Sequence, residues 1–574
     1  MKSLTKLFLL LVTISIIQSN SISSSIPKNI IPYTNNLIPI QQVEFLAPNI
    51  RTWVYNTGII NQDKRTANTP GFEWPINSGK FAVYTSGLCI AAMVGGQLRE
   101  AMASYQGEYA PGYVNDTGNF PYAVTNSTFK VYKVKTGDNA NNNPDWANWG
   151  LMVPFGAPYY DVNHNNIYDP QIDSPGVRGA YQTLFVCLTD GFPEEHKIGE
   201  GFGGGTLPIF AEVHMTAWSS GIPGLEDVQY LKYEIFNRSK QPWNSTYLSF
   251  VADPDLGGVE DDYIGCDTNL RLVFDYNGDN MDTGNYSYGA NPPAVGFTLL
   301  DNAINKSVNP PIDLKMSSFT YFTNTSTPGP ACEKDPNGEE APAYYMMKGL
   351  KKDLTPWVIP PGGINRVNKF CYSGDPETGI GWNEGPPGNP TGSIQNCGGP
   401  NIYNGSGVYV NPVGDRRLIV SSGAENFTVV PREKQTMTIA QFIARGSSNL
   451  NSVTKLKQKA QFIRNLYVIG IEKKSTNTPE SYKLYQNYPN PFNPTTKIRF
   501  EIPLLKGVPE GRGVSVKLII YDILGKELTT LVNEQLNSGK YEVEWNANNY
   551  PSGIYFYTLQ TKSFSQTNKM VLLK

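Results

Sequence analysis

The chain has 574 residues, room for roughly two to four domains with cores of their own. Charged residues make up 17%, below the roughly 25% of ordinary soluble domains, while 54 glycines and 43 prolines favour turns and strands over helices. A net charge of −3 with no basic patch argues against a nucleic-acid partner.

Residues 1–23 read as a signal peptide. Lys2 and Lys6 form a charged start, residues 7–17 are apolar but too short to span a bilayer, and Ser19 and Ser21 offer a cleavage site. No cysteine follows, which argues against a lipid-anchored start. No later segment is long and apolar enough for a membrane span, so no transmembrane segment is expected in the mature chain.

The six cysteines permit disulfides in an exported protein. Cys89 and Cys187 lie in apolar, strand-like runs and read as buried free thiols. Cys371 and Cys397 flank a Gly/Pro-rich loop and are the pair expected to bridge. None of the six has CxxC spacing, which argues against a zinc cluster.

Residues 24–470 read as a β-rich body, two sandwich-like units in expectation. Ala211, Val213, Met215 and Ala217 alternate with Glu212, His214 and Thr216, as in a half-buried strand. Leu231, Tyr233 and Ile235 alternate with Lys232 and Glu234, and a turn over 237–245 leads to a strand at 247–252. Residues 427–430 and 436–444 flank PREKQ, a hairpin signal. One helix is expected before the linker, with Ser452 as its cap and Val453, Leu456, Ala460, Ile463 and Tyr467 at helical spacing. Residues 471–481 then read as a linker.

Two stretches invite a hard cation. In the first, Asp161, Asn163, Asn165 and Asp169 place oxygens at alternate loop positions, Ile167 offers a carbonyl and Asp173 a late acid; Asn166 tolerates the left-handed turn. Calcium is the expected ligand, against a turn held by its own side chains. In the second, Asp253, Asp255, Glu260, Asp261, Asp262 and Asp267 crowd a loop between strands 247–252 and 270–274. Like charges a few ångströms apart repel by about 1 kcal/mol even in water. If they turn inward, something positive must meet them: calcium, a distant arginine such as Arg416 or Arg417, or shared protons. The alternative is a splayed, solvated acidic loop. Asp275, Asp279 and Asp282 form a weaker set around Asn277-Gly278, which is a hairpin-turn signal by itself.

Catalytic signals are sparse. The three histidines, His164, His196 and His214, form no HExxH, and no GxSxG elbow is present. His214 reads as structural. GEGFGGG at 199–205 is followed by a strand, so it is a turn and not a phosphate cradle. The acids of 253–267 would serve a glycosidase only at a fixed separation across a cleft.

From Tyr482 the character changes. YPNPFNP at 488–494 is extended and proline-rich. Strand-like runs follow at 497–502, 514–521, 541–545, 553–559 and 569–573, as in a small antiparallel sandwich. Val516, Leu518 and Ile520 give the second run one apolar face. YPNPFNP, IYDILGKEL, PSGIYFY and the terminal KMVLLK, in that order, closely resemble the type A C-terminal sorting domain of type IX secretion system cargo from Bacteroidota and relatives. The loop at 504–513 is longer than usual for that family. Within the body, GFEWPINSGKFAVYTSGL, DPDLGGVEDDYIGCD, NPPAVGF, GDRRLIVSSG and ARGSSNLNSV resemble secreted proteins that carry the same tail; that likeness brings no activity with it.

The expected fold is therefore mostly β: multidomain β-sandwiches, a C-terminal immunoglobulin-like sandwich at 482–574 and one helix before the linker. The resemblance implies docking of the tail with the type IX secretion machinery, passage through the periplasm, and release or retention at the cell surface, with surface glycolipid or extracellular glycan as candidate partners. The body reads as a calcium-stabilised, non-catalytic binding or structural module. The alternative is an extracellular hydrolase acting on polysaccharide with the 253–267 acids.

Overall fold

The computed structural model describes residues 39–65, 69–163, 165–197, 202–469, 472–475, 481–503, 514–536 and 539–574. The expected signal at 1–23, His164 and the 504–513 loop lie outside them. The chain is mostly β, as expected. In order, the body's main elements are β1 (Thr85–Val94), β2 (Gln97–Ala101), β3 (Ala110–Pro111), β4 (Tyr132–Lys135), β5 (Ala180–Thr189), β6 (Ala211–Ser220), β7 (Val228–Asn237), β8 (Asn244–Asp253), β9 (Asp262–Asp267), β10 (Leu272–Asn277), β11 (Ala294–Asp301), β12 (Ser318–Thr323), α1 (Glu340–Met347), β13 (Arg416–Gly423), β14 (Lys434–Ala444) and α2 (Asn449–Ile469).

These strands build two antiparallel sheets. One runs β9-β10-β11-β14-β7-β6-β5-β3, with β4 also paired to β5; the other runs β12-β13-β8-β1-β2. The two sheets share one core. Alternate residues of both, such as Val213, Leu231, Phe297 and Ile439 from the first and Leu88, Phe250, Phe319 and Val420 from the second, enter a single apolar cluster. The sequence suggests two sandwich-like units; the main strands close one, because the turn after Asn237 carries the chain from one sheet to the other. The outer faces are covered too. Leu456, Ala460 and Ile463 of α2 cover Phe274, Ala294 and Phe442, and Ala343, Met346 and Met347 of α1 cover Val251 and Ile419.

Local details differ from expectation in three places. The helix begins at Asn449, capped by the Ser448 hydroxyl, which accepts from Asn451 N at 3.0 Å. Ser452 instead donates to the Pro292 carbonyl at 2.7 Å and so ties the helix to the sheet. Residues 427–430 form no hairpin with β14: Val429 bridges Trp243, and β14 is taken up on both sides by β7 and β11. Cys397 bonds to Cys332, not Cys371. Cys371 is held inside the sandwich, its amide donating to the Phe319 carbonyl, where no loop cysteine reaches it. Cys89 and Cys187 are buried free thiols, as expected.

The tail has its own apolar core, in which Phe492, Ile498, Phe500, Leu518, Trp545 and Tyr557 meet between two four-stranded sheets. The burial of Val516, Leu518 and Ile520 matches the predicted apolar face. Glu472–Ser475, within the expected linker, pairs with Gly539–Asn546 of the tail. The NPFNP stretch joins first strand to last. Phe492 packs on Trp545, Asn490 accepts from Val571 N at 2.8 Å, and Phe492 bridges Leu572.

The described part of the glycine-rich stretch is pinned from below. Gly204 N donates to Glu100 and Gly205 N to Glu108, so these amides hold the protein's own carboxylates. His196 closes the arrangement: Nδ1 lies 3.4 Å from Glu108 and Nε2 3.4 Å from the Asp190 carboxylate. Burial alone would lower the imidazole's pKa, but Asp190 and Glu108 outweigh it and raise it to about 10. Its unfolded value is about 6.5. The stabilisation is therefore full below about pH 6.5 and is lost as pH rises through about 10, on the order of a few kcal/mol. Urea unfolding of wild type and His196→Gln across pH 6–10 checks this: the gap between them should shrink steadily with pH, and a constant gap would refute it.

Candidate metal centre

The acids of 253–267 do not form one loop. Asp253 ends β8, and Asp262–Asp267 is a strand, paired residue by residue with β10. At roughly 3.3 Å per residue, that strand carries Asp267 away from the others. Its carboxylate accepts from Asn269 N and Leu270 N, capping the β9–β10 turn. Asn277-Gly278 makes no hairpin turn either, since Asn277 is the strand partner of Asp262. The short connection through Asp255 is held by Asp282, which accepts from Gly258 N at 2.9 Å and from Tyr288 N at 2.5 Å. Gly257 has φ +73°, and a Cβ there would stand 2.0 Å from Asp282 Oδ2, so this turn needs its glycine.

One group of carboxylates gathers where β8 and β13 end side by side. Oxygens of Asp253, Asp255 and Asp415 lie within 4.8 Å of one another. Arg417 reaches the same place, 3.2 Å from Asp253 Oδ1 and 2.5 Å from Asp415 Oδ2. Tyr105 donates to Asp253 Oδ2 at 2.7 Å and accepts from Arg417 Nε at 3.0 Å. Burial pushes the Asp253 carboxyl up to about 7 against the pull of Arg417, and burial with the Asp253 charge raises Asp255 well above its ordinary value. When ionised, three carboxylates against one guanidinium leave two negative charges. A hard divalent cation suits such an all-oxygen donor set.

A second group faces the interior. Asp262 and Asp275 lie on the same side of the β9–β10 pair as Ile264, which is part of the shared core. Burial, then each other's and neighbouring charges, push Asp262 up, and burial does the same to Asp275 against the pull of Arg416. Arg416 itself is bonded to Glu384 at 2.9 Å. Asp261 stands at the rim, outside both groups, its Oδ2 accepting from Thr283 N at 3.4 Å. Glu260 lies beside it at the entry to β9, and its charge bears on Asp255.

The loop of 161–173 is arranged differently. Asp161 accepts from Asn165 N and Asn166 N, Asn163 from Asn165 N, and Asn165 from Ile167 N. Asp169 accepts from Gln171 N, and Asp173 from Val162 N and Asp169 N. Asn166 takes the left-handed conformation, φ 60°, as its place in the loop suggests. Here the side-chain oxygens are turned on the loop's own amides. His214 is structural in its contacts, 3.0 Å from Glu212, which Arg238 also holds.

Sequence reasoning names Arg417 as a counter-charge but passes over Asp415, its neighbour in GDRR. Nothing in the local pattern ties that residue to an acid loop far upstream.

Residues 486–573 match the family model of the secretion system C-terminal sorting domain. That match supports export of the chain as a type IX secretion cargo, to the cell surface or the extracellular space. No curated protein is significantly similar to the chain. Among solved structures, a polysaccharide lyase is similar at 7% identity and a TM-score of 0.16, over 63% of this chain and 34% of its own. The chain thus spans about a third of that enzyme's length. The adhesin domain of Epf from Streptococcus pyogenes is similar at 7% identity and a TM-score of 0.13, over 62% of this chain and 83% of its own. A Salmonella alpha-2-macroglobulin is similar at 9% identity and a TM-score of 0.14, over 85% of this chain and 26% of its own. Likenesses this loose carry no argument for the body.

Arg417 is the counter-charge of the outer group. Replacing it with alanine leaves Asp253 and Asp415 without their counter-charge, at a cost of about 3–5 kcal/mol. Urea denaturation at pH 7.5 in the presence of chelator should show that loss; an unchanged midpoint would mean that the carboxylates are compensated in some other way.

Proposed function

We propose that this is an exported protein whose tail docks with the type IX secretion machinery, and whose body is a non-catalytic binding or structural module braced by calcium. The tail reading rests on the sorting-domain match at 486–573. The calcium reading rests on one observation: Asp253, Asp255 and Asp415 converge on a place where Arg417 is the cation within ion-pair reach. Residues 482–574 act as a detachable label, and the body is released or kept at the surface, where glycolipid or glycan are the candidate contacts. The 161–173 loop is a further place for calcium, one that would have to draw its oxygens away from the amides they now hold.

The hydrolase alternative finds no specific observation in its favour. Of its acids, Asp253 is paired with Arg417, and Asp262 and Asp267 lie in β9. A cavity of about 750 Å³ elsewhere, lined by Trp218, Lys232, Glu234, Arg271 and Tyr467, includes none of them.

Two measurements test the reading. Adding EGTA to the full chain should lower its melting temperature by several degrees, and Asp415→Asn should abolish much of that shift; no shift in wild type would remove the support for calcium. Fusing residues 482–574 to a foreign passenger in a host with type IX secretion should bring the passenger outside the cell. Retention in the periplasm would overturn the tail's assigned role.

A further inference from the structure

A buried carboxylate in this protein is normally well supplied with partners. Glu333 accepts from Lys351 Nζ at 2.6 Å, from Tyr321 at 2.9 Å and from Ser393 at 3.0 Å. Glu384 accepts from Arg416, from Asn411 and from Ile264 N, each at 2.9 Å. Glu108 and Asp190 each accept two backbone amides. Asp262 and Asp275 stand apart. They are 1% and 0% exposed, and none of their four oxygens meets a hydrogen-bond donor.

Their placement is set by the strands. Asp262 is opposite Asn277 and Ile264 is opposite Asp275, so the two aspartates sit diagonally across the β9–β10 ladder on one face. Ile264 on that same face belongs to the interior core. The charged groups around them are Asp255, Asp261, Asp282, Glu384 and Arg416. The one cation among these, Arg416, already spends its Nε on Glu384 and its Nη2 on the Pro412 carbonyl. When ionised, Asp262, Asp275 and Glu384 against Arg416 leave two negative charges inside the sandwich.

We propose that Asp262 and Asp275 hold a second divalent cation, of calcium type, within the seam of the sandwich and separate from the one at Asp253, Asp255 and Asp415. The inference rests on the calcium reading of the body and adds a site to it. Two carboxylates supply up to four hard oxygens, and the charge of Asp255, a member of the outer group, bears on both of them. A cation here would tie β9 to β10 on the face that enters the core.

The sign of a stability change tests it. The full chain, stripped with EGTA and reloaded with calcium, is compared as wild type, Asp275→Asn, Asp262→Asn and Asp415→Asn by metal content and by thermal melting. If the inner site binds, Asp275→Asn should hold one calcium fewer than wild type and melt lower in calcium. In EGTA it should melt higher than wild type, since it removes an uncompensated buried charge. Asp262→Asn should behave alike and serves if the first variant fails to fold. If both inner variants keep the wild-type calcium content, or melt higher than wild type with and without calcium, the carboxylates are neutral acids and the inference is wrong. Should Asp415→Asn lose an ion while the inner variants lose none, only the inner site falls; no calcium in wild type sinks the outer site as well.

Discussion

Carboxylates taken out of water must be repaid by cations or donors, since an unpaired buried charge costs several kcal/mol and more in a drier interior. In this molecule that demand concentrates where the ends of β8 and β13 meet the β9–β10 pair. Two arginines in succession answer it in part. Strand alternation sends neighbouring side chains to opposite faces, so Arg416 turns to Glu384 while Arg417 turns to Asp253 and Asp415. Arg416, paired with Glu384, leaves Asp262 and Asp275 without a donor, and Arg417 faces three carboxylates. With its carboxylates ionised, the sandwich closes over a residual negative charge at the place where its two sheets meet.

The rest of the body is consistent with such a seam. Each sheet has one face in the shared core and much of the other under a helix, so the strands are apolar on both sides and leave few surfaces for solvated acids. Elsewhere, buried charges meet an opposite charge at close range: Lys351 is bonded to Glu333, and His196 lies between Glu108 and Asp190. Buried networks of that kind hold irregular loops in one arrangement. The 202–205 stretch depends on it, because the amides of Gly204 and Gly205 have carboxylates rather than strands as partners.

The tail follows simpler rules. Its strands alternate apolar and charged residues, its core is a separate cluster, and its proline-rich opening is stitched to the last strand through Asn490 and Phe492. A domain closed by its own first and last segments can fold around its own core. That suits a segment matched by a sorting-domain family over nearly its full length.

Much of this was readable from residues in order. Period-two alternation at 211–217, 231–235 and 514–521 marked strands, helical spacing from Val453 to Ile463 marked α2, and Asn166 marked a left-handed turn, because these are local preferences set by a residue and its near neighbours. The acid-rich stretch was also legible, with Arg416 or Arg417 as one candidate counter-charge beside calcium and shared protons, since like charges repel wherever the chain folds. Partner choice was not. Cys332 rather than Cys371 meets Cys397, Asp415 joins Asp253, and Asp275 faces Asp262 while Asp267 is carried off. Register and sheet assignment decide such pairings, and a strand's sequence looks the same in either sheet and against either neighbour. Only closure of the sandwich brings residues 253–275 and 415–417 into one electrostatic neighbourhood.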